Sequence, residues 1–80
     1  MVVSEAYVMI EVEPGKVNGV VSGLNRISAV VSADRVTGPY DVICLVEIPT
    51  MEDLGPLVQD QIHQVGGIVR TLSCAVTRPA

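Results

Sequence analysis

The segment ISAVVSADRVTGPYDVICLVEI, residues 27–48, holds two apolar runs separated by a Gly-Pro pair. In the first run Ile27, Ala29, Val31 and Ala33 alternate with Ser28, Val30, Ser32 and Asp34, the period of a strand. The second run, 42–48, is nearly continuous in apolar and β-branched residues, as expected of a central strand covered on both faces. Gly38 supplies backbone freedom and Pro39 pre-sets one backbone angle, so the link reads as a turn and the segment as a hairpin.

On the N-terminal side of this hairpin, residues 6–12 alternate again: Ala6, Val8, Ile10 and Val12 share one face, with Tyr7, Met9 and Glu11 on the other. Pro14 and Gly15 end that strand. Val17, Val20, Val21 and Leu24 then recur at the spacing of one helical stripe. On the C-terminal side, Pro49 stops the hairpin strand, and Thr50 with Asp53 resembles a capping box for a second helix carrying Leu54, Leu57, Val58, Ile62 and Val65. Pro56 lacks the N–H of an interior helical position, which predicts a kink or a start near Gly55. Gly66 and Gly67 end the helix, residues 68–77 form a last strand, and residues 78–80 are expected to fray.

Strand, helix, strand, strand, helix, strand is the split βαβ or ferredoxin-like plan, an α+β fold. Right-handed crossovers give the spatial order 4-1-3-2, all neighbours antiparallel, with both helices on one face. By parity the opposite face carries Tyr7, Met9, Val30, Ile43, Leu45, Val69 and Ala75. So apolar an open face predicts an interface, with two sheets packing face to face in a dimer.

Composition supports self-association. The chain has 80 residues, 49% of them hydrophobic, yet its only aromatics are Tyr7 and Tyr40. A single domain of that size has a marginal core, and oligomerisation is a usual remedy. Five basic against nine acidic residues give a net charge of −4, which argues against direct nucleic-acid binding. No apolar run is long enough to cross a bilayer and the first residues do not resemble a signal peptide, so a cytoplasmic protein is expected. Cys44 and Cys74 lack close partners and read as small buried hydrophobes. On strands three and four they would be too far apart to bridge.

Little in the chain suggests catalysis. His63 is expected to be solvated on the polar side of the second helix, and no metal-ligand spacing surrounds it. The acidic pairs Glu11 with Glu13 and Glu52 with Asp53 lack a positioned histidine or nucleophile, and no phosphate loop stands between a strand and a helix. No cofactor is implied. The turn 36–41 is the richest constellation: exposed amides, a hydroxyl and a carboxylate could meet a small zwitterion, although Asp41 could equally serve the local backbone.

The sequences AYVMIEVEPG, VTGPYDVICLVEI and GGIVRTLSCAV, in this order, resemble the effector-binding (RAM) domain of the Lrp/AsnC transcription regulators, over essentially the whole chain. The Val-Thr-Gly-x-Tyr-Asp hairpin motif is matched at Val36, Thr37, Gly38, Tyr40 and Asp41. The Gly-Val-x-x-Thr-x-Thr strand opening is matched at Gly67, Ile68, Thr71 and Ser73. Pro39 removes one amide donor from the turn, and Ser73 stands where threonine is common. The resemblance implies a non-enzymatic module that dimerises through its sheets and assembles further, into an octamer or other ring of dimers, with an amino acid or similar effector bound at the junctions. By position, Thr37, Gly38, Tyr40 and Asp41 would line one side of such a pocket, and Thr71 and Ser73 another. Asp41 would pair with the effector's ammonium. With no DNA-binding segment before the first strand, the chain reads as a stand-alone module whose partners are itself, the effector and, in one version, full-length Lrp/AsnC regulators. A small dimeric α+β barrel enzyme and an ACT-type amino-acid-binding module share the topology and are the alternatives.

Overall fold

The computed structural model describes residues 3–77; the expected fraying of residues 78–80 lies outside them. The chain runs β1 (Ser4–Val12), α1 (Val17–Leu24), β2 (Val30–Arg35), β3 (Val42–Ile48), a second helix over 51–62, and β4 (Ile68–Ala75). The sheet has the order β2-β3-β1-β4, the expected arrangement, with every neighbouring pair antiparallel.

The alternation of β1 and β3 becomes one side of the core. Ala6, Val8, Ile10 and Val12 are buried, as are Val42, Cys44, Val46 and Ile48 beside them. Val20 and Leu24 from α1 and Leu57 and Ile62 from the second helix close over this face. The helices lie side by side: a Cβ built on Gly23 of α1 would come within 2.8 Å of Val65 Cγ1, just after the second helix. β1 enters α1 through a turn in which the Lys16 N–H donates to the Glu13 carbonyl at 3.1 Å. Pro14 and Gly15, with φ +83°, occupy its central positions, the chemistry of a type II turn.

The second helix accommodates Pro56 by changing its winding. A 3-10 turn, Met51–Asp53, leads into a short α segment, Leu54–Leu57 (α2), where Pro56 falls in the first turn and its missing N–H has no helical partner to lose. A π turn, Val58–Ile62, follows, and the His63 N–H donates five residues back to the Val58 carbonyl at 2.9 Å. The start is held as the Thr50/Asp53 pair suggested. The Thr50 N–H and hydroxyl both donate to Asp53 Oδ2, at 3.1 and 3.2 Å.

The two edge strands depart from simple alternation. β2 begins at Val30 rather than Ile27, because Ile27 and the residues after it turn out of α1, with N–H bonds from Ile27 to Leu24 and from Val30 to Ile27, both 3.0 Å. Pairing then runs Val30↔Val46 and Ser32↔Leu45, which leaves Val31 as the extra residue of a bulge. β4 does the same at its start: Val12↔Ile68 is followed by Glu11↔Arg70, with Val69 extra. Both extra valines are more than half exposed, at 54% and 55%.

The bulges correct the expected composition of the open face. Val30 pairs with buried Val46 and packs against the core, and Ala75 pairs with buried Ala6, so neither belongs to the face away from the helices. Tyr7, Met9, Ile43 and Leu45 do lie there, joined by Leu72 and Cys74, which pair with Met9 and Tyr7. Tyr7 is 47% exposed and Leu72 46%. Cys44 is buried as expected but Cys74 is exposed, because the bulge turns it outward, and both are free thiols.

Candidate functional site

The turn 36–41 is tied down from several directions. The Val36 N–H donates to the Asp41 carbonyl at 3.0 Å, closing the hairpin, and the Asp41 N–H donates to the Ile10 carbonyl at 2.9 Å. Asp41 Oδ2 accepts from the Val12 N–H at 2.8 Å, in the region where the β1–β4 register shifts. Gly38 has φ +142°, a backbone region that residues with a side chain rarely adopt. Tyr40 receives a cation: the Arg70 guanidinium carbon stands 5.8 Å from its ring centre, and Arg70 Nε lies 3.2 Å from Glu11 Oε1. Glu11 and Arg70 are direct cross-strand partners, so this ladder joins β1, β4 and the hairpin. Asp41 is therefore partly occupied by the backbone, the structural role its place in a turn allowed.

Thr71 and Ser73 take the helix side of β4, since they pair with Ile10 and Val8. Thr71 Oγ1 is hydrogen-bonded to His63 Nε2 at 3.1 Å. Ser73 lines a groove of about 660 Å³ between the second helix and β4, with Met51, Leu54, Gly55, Val58, Gln59 and His63. Thr37 lines another cavity, of about 510 Å³, with Arg35 and Val36. Within one chain the hairpin and the β4 hydroxyls thus lie on separate surfaces rather than around a shared pocket.

His63 is solvent-exposed, as the sequence predicts, but it also has a partner on β4 that the sequence does not announce. A regular helix puts His63 on the polar side, but in the π turn residue i+5 replaces i+4 as the partner of residue i, rotating the later side chains by about one residue, roughly 100°. His63 then meets Thr71 and lines the groove. Pro56, six positions after a capping residue, is the one sequence signal of irregular winding, and it does not specify where the extra residue falls. Among the described residues no cluster of His, Cys, Asp or Glu could hold a metal ion.

The sequence profile of the Lrp/AsnC ligand-binding domain matches residues 5–79. The chain belongs to this family. An HTH-type transcriptional regulator, Ptr1 of Methanocaldococcus jannaschii, is 27% identical over 66 residues, which are 82% of this chain and 43% of that regulator; the chain thus spans under half the length of its curated relative. Among solved structures, TTHA0845 from Thermus thermophilus superposes with a TM-score of 0.88 at 27% identity, covering 96% of both chains. The transcriptional regulator NMB0573 from Neisseria meningitidis, in complex with L-Met, shares the fold with a TM-score of 0.84 at 17% identity, over 94% of this chain and 50% of that one. Membership in the Lrp/AsnC ligand-binding family makes this a regulatory effector-binding module and sets the ACT-type alternative aside. No helix among the described residues is long and apolar enough to cross a membrane.

Proposed function

We propose that this Lrp/AsnC-type module senses an amino acid or a closely related metabolite without catalysing a reaction, in the cytoplasm. Two copies associate through the open sheet faces, and dimers join into an octamer or another ring. In that assembly the hairpin of one copy, with Thr37, Gly38, Tyr40 and Asp41, meets Thr71 and Ser73 of another around the effector. The observation that carries this reading is the separation of the two half-sites. Each is open on its own chain, so a closed pocket for a small zwitterion calls for a second copy. The L-Met bound to the Neisseria regulator of the same fold supports an amino-acid effector. The free carboxylate oxygen of Asp41 suits the ammonium, and hydroxyls with backbone N–H groups suit the carboxylate. Binding would act by differential affinity for two assemblies, among which pairing with full-length Lrp/AsnC regulators is included.

Thermal unfolding of the protein against each of the twenty amino acids at millimolar concentration tests the reading. A ligand at 100 times its Kd adds about 2.7 kcal/mol per site. A selective rise in midpoint, lowered by Thr37→Val and by Ser73→Ala, is the expected result. These positions are preferable to Asp41, whose loss also releases the Val12 N–H. Flat midpoints across all twenty would overturn amino-acid sensing.

A further inference from the structure

The groove between the second helix and β4 has a lining that sorts ligands by charge. Met51, Leu54 and Val58 are apolar, Gln59 and Ser73 are neutral hydrogen-bonding groups, and His63 is the one titratable side chain. Two of the neighbouring acids are directed elsewhere. Asp53 is engaged by Thr50, and Asp60 lines a different cavity, with Pro49 and Ala29. A protein of net charge −4 thus carries no carboxylate in the lining of this groove. Thr71 fixes the His63 ring through Nε2, and the π turn that brings the ring there borders the groove at Val58 and Gln59. Such turns are frequently associated with functional sites.

We propose that this groove binds an aliphatic monocarboxylate, its hydrocarbon chain against Met51, Leu54 and Val58 and its carboxylate at His63 and Ser73, and that it does not read an amino group. The proposal rests on the effector reading above and states which part of the effector this half-site recognises. An imidazole ring N–H, a hydroxyl and an amide offer donors to a carboxylate. An ammonium would find no counter-charge in the lining and would lose hydration on entry. Each methylene buried on the apolar wall is worth about fourfold in affinity, so chain length matters as much as the head group.

Calorimetric titration of the intact protein with 4-methylpentanoate, leucine, 3-methylbutylamine and acetate tests this. The expected result is saturable binding of 4-methylpentanoate and leucine, at least tenfold weaker binding of acetate, and none of the amine. His63→Ala weakens 4-methylpentanoate about tenfold and Ser73→Ala about threefold, with the unliganded unfolding midpoints reporting that each variant remains folded. Amine binding equal to that of the carboxylate, or an affinity unmoved by His63→Ala, overturns the proposal. Leucine binding that survives both substitutions, with 4-methylpentanoate inert, keeps the effector reading and removes this one. Binding of 4-methylpentanoate with every amino acid inert does the reverse.

Discussion

Replacing Asp41 by alanine removes the acceptor for the Val12 N–H, and a part-buried donor left without its partner costs about 1–2 kcal/mol. Asp41→Asn keeps an acceptor oxygen and should cost less, an ordering that urea denaturation of the two variants checks. The cysteines differ at the same scale. Burial pushes the Cys44 thiol from 9.0 up to about 11, outweighing a backbone hydrogen bond with Val8 that acts in the opposite sense. A thiol held neutral in the folded state stabilises fully below pH 9.0, its unfolded value, and that contribution is lost as pH rises toward about 11. Wild type should therefore lose stability between about pH 8 and about pH 10.5 more steeply than Cys44→Ala, read as the difference of denaturation midpoints. In the native protein a thiol reagent should label exposed Cys74 and spare Cys44.

At the scale of elements, α1 is held by packing, since Gly19 and Gly23 both lower its intrinsic propensity. Gly19 faces open space, so Gly19→Ala should stabilise by up to about 1 kcal/mol. Gly67→Ala should destabilise by about 1–3 kcal/mol, because Gly67 has φ +101° and a Cβ there would stand 2.8 Å from Lys16 Cβ. Thermal midpoints of the two variants should move in opposite directions. The central strands, both helices and the strand order are legible in the chain because apolar period and turn chemistry agree there. The edge strands are legible only in part. A bulge is one residue wide and carries no signal of its own, so parity puts Val30 and Ala75 on the wrong face and misses Leu72 and Cys74. The site is legible to a similar degree. Thr71 and Ser73 are found through a family motif and the exposure of His63 is foreseen, while its contact with Thr71 follows from a change of helical winding that only the three-dimensional path reveals.

The whole molecule is a two-layer structure, with helices over one side of the sheet and Tyr7, Met9, Ile43, Leu45 and Leu72 on the other. If that side is where copies meet, a charge placed in its middle should separate them. Leu45→Glu is expected to reduce the mass seen by sedimentation to that of one chain, and to abolish any dependence of the unfolding midpoint on protein concentration. A Leu45→Glu protein that sediments as the wild type does would place the interface elsewhere.

The single extra valine in β4 has a meaning for how the strand can change. Everything after Val69 is assigned to one side of the sheet or the other by that one residue, much as a nucleotide sets a reading frame. Taking Val69 into the ladder with no residue removed would slide the rest of the strand by one position and exchange the two sets, sending Thr71, Ser73 and Ala75 outward and Arg70, Leu72 and Cys74 toward the helices. Deleting Val69 instead leaves Ile68 opposite Val12, Arg70 opposite Glu11 and every side chain on its present side. Substitutions along β4 can tune either surface separately, but a slip of register there rewrites both together.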